Sequence, residues 1–256
     1  MLNLVDTHAH LYVEQFDGEL DEVMERAKAN GVNRILLPNI DSSTTERLWK
    51  TVNAYPDRCI PMMGIHPCSV DETIADELKH VETELATNRY IAVGEIGIDL
   101  YWDKTFVKEQ ISAFETQMEW AKELNLPVAI HCRNSFNEIF EAVEKVQDGN
   151  LRGVLHCFTG NQEQAQKTID LGLHIGLGGV LTFKNSGVDK AVIDVPMDKI
   201  ILETDSPYLA PTPYRGKRNE SSYTKLVAEK LAQIKNITLE EVAVITTQNA
   251  ERLFNL

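Results

Sequence analysis

The sequence predicts an α/β fold of the (β/α)8 TIM-barrel class, as a single domain over residues 1–256. Three observations predict it. The chain has 256 residues, close to the ~250 that such barrels use. Eight short apolar runs rich in β-branched residues alternate with stretches of helical period. Residues able to do chemistry cluster at the C-terminal ends of those runs, the end at which barrels carry function. An open doubly wound sheet is the rival, but it usually has fewer strands, and no GxGxxG follows the first run.

In chain order the predicted strands are 2–8, 33–39, 59–67, 90–98, 127–132, 153–158, 173–179 and 199–205. Between the first two, Leu20, Val23, Met24 and Ala27 share one helical face before Gly31, a helix stop. Segments 42–54 and 73–88 have similar character. Phe106, Ile111, Phe114, Met118, Ala121 and Leu124 make the next face, which ends before Pro127. Helical stretches follow at 134–148 and 161–171, then a short segment at 186–195 with room for one or two turns. Two helices, at about 222–234 and 238–247, close the chain.

Composition is that of a soluble globular protein, with 43% hydrophobic and 25% charged residues. There is no apolar run of about 18 residues to span a membrane. The N-terminus lacks the basic and apolar regions of a secretory signal, so a cytoplasmic protein is expected. Cys59, Cys68, Cys132 and Cys157 form no CxxC pair and are read as reduced thiols. The net charge of −14 argues against holding nucleic acid by a broad basic face. It leaves open a site where bound cations supply the positive charge.

The candidate site begins with "VDTHAH". On a strand, residues i and i+2 share a face, so His8 and His10 would project together and could chelate one ion. A solvated turn is the blander reading of that pair alone. However, His66 ends the third run, Glu95 the fourth, His131 the fifth, His156 the sixth and Asp205 the eighth. Packing does not explain so many titratable groups at one mouth, because each buried one would need its own partner. His8, His10 and Asp205 suit one ion and His131 and His156 a second, with Glu95 bridging as a ligand and catalytic group. Two ions about 3.5–4 Å apart can clamp a phosphoryl group and acidify a shared water, with Asp205 as general base. Imidazole with carboxylate suits zinc, manganese, cobalt or nickel better than magnesium, and two divalent ions, zinc, manganese or magnesium, are expected.

The strings "DTHAHL", "GIHP", "GEIGIDLYW", "HCR", "HCFTG" and "LETDSPYLAP…RGKRNE" are similar, in order and along essentially the whole chain, to the signature set of the TatD-type metal-dependent deoxyribonucleases. The resemblance implies a cytoplasmic barrel hydrolase of the amidohydrolase superfamily that cleaves DNA phosphodiesters with divalent metal. It implies metal-binding positions at His8, His10, Glu95, His131, His156 and Asp205, and places His66 with the substrate or just behind the ligands. The family pattern often continues with proline where Ser221 stands, and serine there suits a helix cap. No lysine lies in "YIAVGEIGI", so the bridging group is a plain carboxylate rather than a carbamylated lysine.

Arg133, two residues past His131, could reach a phosphate, and Arg215, Lys217 and Arg218 form a basic run after strand eight. A surface ion pair or a solvated loop would equally account for them. Tyr101, Trp102, Phe158 and Tyr208 follow site strands and could stack on bases or pack at the rim. Alternation turns Cys132 and Cys157 toward the helical layer. His80 and His174 are off pattern. The leading expectation is a monomeric deoxyribonuclease acting on single strands or ends. The rivals are a hydrolase of small esters, lactones or amides, an aminoacyl-tRNA deacylase, and a catalytically dead binding barrel.

Overall fold

The computed structural model describes residues 2–256. Eight strands alternate with helices: β1 Leu4–Asp6, β2 Val32–Pro38, β3 Cys59–Met62, β4 Val93–Asp99, β5 Val128–Arg133, β6 Gly153–Leu155, β7 Leu173–Leu177 and β8 Ile200–Leu202. The helices are α1 Leu20–Ala29, α2 Thr45–Ala54, α3 Ile74–Leu85, α4 Val107–Glu123, α5 Phe136–Val146, α6 Gln162–Asp170, α7 Val188–Ala191, α8 Thr224–Lys235 and α9 Leu239–Phe254.

All pairings are parallel, in one ladder of β1 to β3 and another of β4 to β8. Two seams join the ladders. Met63 bridges Val93, with Met63 N–H donating to Ala92 at 3.2 Å and Gly94 N–H to Met63 at 2.9 Å. Ala9 bridges Ser206, and Thr7 N–H donates to Leu202 at 3.0 Å. The eight strands therefore close on themselves as a barrel, and closure removes exposed edges.

Several strands stop earlier than alternation predicts. β1 ends at Asp6, β3 at Met62, β6 at Leu155 and β8 at Leu202, so His8, His10, His66, His156 and Asp205 lie on the segments just beyond. Single cross-chain bonds hold these segments where regular ladders have ended. His10 N–H donates to Ser206, His156 N–H to Ile130 and Asp205 N–H to His8, at 2.7, 3.0 and 2.9 Å.

α9 runs to Phe254, well past the predicted 247. The polar run that hid it is internally satisfied. Thr246 bonds back to Val242, Thr247 donates to Asn3, and Asn249 donates to Met197 and Ile200. α7 is a single turn. Ser221 does not cap a helix: it falls inside a short 3-10 turn, Ser221–Tyr223, whose preceding residue is Glu220, and its buried hydroxyl caps no N–H. Among the described residues, no helix is long and apolar enough to cross a membrane.

Candidate active site

Glu95, on β4 and 2% exposed, is the centre of the site. Its Oε2 lies 3.1 Å from His8 Nε2 and 3.4 Å from His10 Nε2. Its Oε1 lies 2.9 Å from His131 Nδ1, 2.8 Å from His156 Nε2 and 3.5 Å from His66 Nε2. Asp205 Oδ1 stands 3.6 Å from His10 Nε2 and 4.0 Å from His8 Nε2. Each oxygen of one carboxylate thus faces its own set of imidazoles. The backbone is shaped for this close approach. Gly97 sits at φ +146°, and a Cβ there would lie 2.1 Å from the His131 carbonyl oxygen.

The far side of each ring decides what the near side offers, because a neutral imidazole has one N–H and one lone pair. Tyr12 gives its hydroxyl proton to the Pro38 carbonyl at 2.5 Å, so its oxygen accepts from His10 Nδ1–H at 3.0 Å. That leaves a lone pair on His10 Nε2. Asp99 Oδ2 accepts from His131 Nε2–H at 2.9 Å, which leaves a lone pair on His131 Nδ1. His156 Nδ1 stands 3.5 Å from Glu203 Oε1 without a hydrogen bond between them. In the places of His10 and His131 a lone pair points at a carboxylate oxygen. Two acceptors at such distances repel unless a proton or a metal cation lies between them.

His66 differs. Its Nδ1 accepts the Cys68 N–H at 3.0 Å, so Nε2 carries the proton and donates toward Glu95. It is built to offer an N–H rather than a lone pair.

Protonation shows the same tension. Burial alone would lower every imidazole, and it holds His8 down and takes His66 to about 3. Against burial, bonds to Asp205 and Glu95 raise His10 to about 10. Bonds to Asp99 and Glu95 raise His131, and the charges of Glu95 and Glu203 raise His156. Burial would raise Glu95, yet the surrounding imidazoles hold it well below the usual carboxylate range. Protons here stand where a divalent cation would compete for the same lone pairs. Three groups of potential ligand atoms, each within 4.8 Å, are His8–His10–Glu95, His8–His156–Asp205 and His66–Glu95–His131. The donor set therefore fits divalent metal of the imidazole-and-carboxylate type.

Three residues behind the rings escaped the sequence reading: Tyr12, Asp99 and Glu203. Asp99 shares the parity of Glu95, four residues before it on β4, so alternation could have found it, whereas Tyr12 and Glu203 lie past the ends of β1 and β8, where alternation no longer applies. Glu203 is fully buried beside Gly176, where a Cβ would come within 2.5 Å of its Oε2.

The expected supporting groups fall in different places. Arg133 lies 3.9 Å over the Tyr101 ring and 5.3 Å from the Trp102 ring, without an ion pair among the described residues. Arg215 covers Phe183, whereas Arg218 is tied to the Gln15 carbonyl and Glu19, at 2.6 and 2.7 Å. Lys217 is exposed. Tyr208 is exposed, with its ring 6.3 Å from His10. Phe158 is buried against Phe136 and is not available to a base. Cys157 corrects the alternation argument: at φ +45° it leaves the strand geometry. Burial, together with the nearby Asp205, Glu203 and Glu95 charges, pushes its thiol up. Off-pattern His80 is satisfied by Thr45 at 2.9 Å.

Comparison with known proteins agrees with this architecture. The sequence profile of a family described as "TatD related DNase" matches residues 5–255. The chain is 40% identical over 254 residues, 99% of each protein, to YabD of Bacillus subtilis, named an uncharacterized metal-dependent hydrolase. It is 31% identical to the "3'-5' ssDNA/RNA exonuclease TatD" of Citrobacter rodentium, covering 99% of this chain and 98% of that protein. The crystal structure of YJJV, a TatD homologue from Escherichia coli, superposes with a TM-score of 0.93 at 26% identity, over 99% of this chain and 98% of that one. A profile spanning nearly every residue, on a barrel whose mouth gathers imidazoles around one glutamate, places the chain in the TatD family of metal-dependent hydrolases.

Proposed function

We propose that the protein is a two-metal nuclease that hydrolyses phosphodiester bonds of DNA. One observation carries the reading: the two oxygens of Glu95 face separate imidazole sets, with a lone pair on the near nitrogen of His10 on one side and of His131 on the other. His8, His10 and Asp205 would hold one ion, His131 and His156 the other, and Glu95 both. The choice among zinc, manganese and magnesium follows the donor set and favours the first two. Divalent ions so held would polarise a phosphoryl oxygen and make a water acidic enough to attack near neutral pH.

The protein's own residues supply the rest. Asp205 is the carboxylate not enclosed by the imidazole ring around Glu95, and its side chain is 15% exposed. It takes the proton from the attacking water as general base. Tyr12 and Asp99 fix the rings of His10 and His131, so that these two need no reorientation during reaction. The His66 N–H is placed to donate to a phosphate oxygen, and Arg133 offers a guanidinium with no competing carboxylate. Arg215 and Lys217, on the loop after β8, offset the −14 net charge locally, while Arg218 is already paired with Glu19. The naming of a relative as an exonuclease on single-stranded DNA and RNA supports nucleic acid as the substrate.

The test loads the protein with zinc, manganese or magnesium in turn. Each form is given labelled single- and double-stranded DNA beside a panel of small esters and lactones. Metal-dependent shortening of DNA is the expected result. Turnover confined to the small esters would replace nuclease by small-molecule hydrolase on the same centre.

A further inference from the structure

The loop that leaves β4 displays two aromatic rings that no part of the fold requires. Trp102 is 66% exposed and Tyr101 51% exposed. Exposure of one large aromatic is unremarkable, but these two meet edge to face, with centroids 4.8 Å apart and planes at 88°. Arg133, from the end of β5, lies flat on Tyr101 at 3.9 Å and within 5.3 Å of Trp102. Stacking occupies the face of the guanidinium and leaves its N–H edges free. Among the described residues no carboxylate pairs with it, although the chain has 39 acidic residues to its 25 basic ones.

The trio is built onto the candidate site. Asp99 Oδ1 accepts the N–H of Tyr101 at 2.8 Å and that of Trp102 at 3.2 Å, while its Oδ2 holds His131 at 2.9 Å. One buried carboxylate thus fixes both a ring beside Glu95 and the start of the aromatic loop. The register places Asp99 directly beside Arg133 on the neighbouring strand. An aromatic face, a phosphate-ready cation and a rigid link to the reacting end match the requirements of one nucleotide.

We propose that Trp102, with Tyr101 and Arg133, forms a stacking subsite for an unpaired nucleobase next to the scissile phosphate. The proposal rests on the nuclease reading. The base lies on Trp102, and the adjoining phosphate meets the free edge of Arg133. A base in a duplex has both faces covered by its neighbours, so the subsite selects single strands or frayed ends. Every base has a π-face, so it shows little sequence preference.

The experiment uses the metal-loaded protein and a single-stranded oligonucleotide, beside the same oligonucleotide with abasic positions at the cleaved end. Trp102→Ala should raise KM on the intact strand by about 5- to 100-fold, the range for loss of one stacked base, with less effect on kcat. Trp102→Phe should restore most of the affinity. The abasic strand should bind the wild type weakly and lose little more with Trp102→Ala, because base and ring act as a pair. Quenching of tryptophan fluorescence by the intact strand, absent in Trp102→Ala, gives a readout independent of turnover. Equal losses on intact and abasic strands, or an unchanged KM, would overturn the subsite while leaving the nuclease reading in place. A wild type that neither binds nor cleaves either strand would overturn both.

Discussion

The two ends of the barrel interior are built from the same strands and opposite chemistry. Below the site, Val5, Leu36, Met62, Ala92, Ala129, Val154 and Ile201 form one apolar layer, closed by Ala250, Leu253 and Phe254 of α9. Two residues further along the chain, on the same inward face, Ala129 gives way to His131, Val154 to His156 and Ile201 to Glu203. The lower layer gains stability from burial at roughly 25 cal/mol per Å² of apolar surface. The upper layer buries titratable groups, which costs free energy unless each is paired. The difference teaches that one end stabilises the barrel so that the other can hold groups that do not. Substitutions at the two ends should therefore separate cleanly into loss of activity and loss of stability.

The sharpest break comes at the top. Glu95→Ala removes the one carboxylate shared by both imidazole sets. Turnover should fall beyond the about 10²–10⁴-fold that a single acid–base group accounts for, and metal should be lost from both positions. Metal analysis showing full two-ion loading in the variant would end the bridging role. Asp205→Asn is the next step down. Asparagine keeps the size and one oxygen donor but cannot take a proton, so turnover should fall by about 10²–10⁴-fold with modest change in KM. Recovery to near wild-type turnover at saturating metal would leave Asp205 as a ligand alone.

At the bottom, Phe254→Ala empties a fully buried position in the plug. It should cost about 3–5 kcal/mol, the usual range for such a truncation, seen as a shift in the denaturation midpoint. Metal content and the turnover of folded protein should stay near wild type. A drop in metal content at conditions where the variant is fully folded would show that the two ends are coupled after all.

How far the sequence reaches differs in the same way between the two ends. The eight strands were legible because fully buried parallel strands are continuous apolar runs, and Gly31 and Pro127 mark the boundaries around them. The upper residues stood out because histidine and carboxylate are conspicuous after such runs. What was hidden depends on geometry beyond local periodicity. Alternation assumes a regular strand, yet Cys157 and Asp205 both have positive φ, at 45° and 58°, so parity says nothing about where they point. Phe158 reads as a rim aromatic, and only the packing of Phe136 against it shows that it is core. The tail of α9 reads as polar because Thr246 bonds back one turn within the helix while Thr247 and Asn249 find partners far away in the chain. Tyr12 and Glu203, past the ends of their strands, need to be seen beside their histidines.

The smallest predicted effect concerns the loop after β8, which is tied to α1 through Glu220 and Arg26. Glu220, 6% exposed, accepts two hydrogen bonds from Arg26 Nε at 2.9 and 3.0 Å and one from Nη2 at 2.7 Å, with a further bond from Ser222 at 2.5 Å. Burial would raise its carboxyl, but the Arg26 and Ser222 bonds outweigh it and hold the folded value below the ordinary one. A carboxyl lowered on folding adds stability above its unfolded value, about 4.3, and loses it as pH falls through the folded value. Arg26 is 45% exposed, so solvent weakens the pair. Glu220→Gln should therefore cost only about 1–2 kcal/mol at pH 7, toward the low end for bonds to a charged group. The gap between wild type and variant should narrow steadily below pH 4, because glutamine does not titrate. Denaturation curves at pH 7, 5, 4 and 3 measure it. A gap that stays constant across that series would mean that the loop is held by the shape of its hydrogen bonds and not by the charge. The mouth would then be anchored by the same neutral packing as the plug below it.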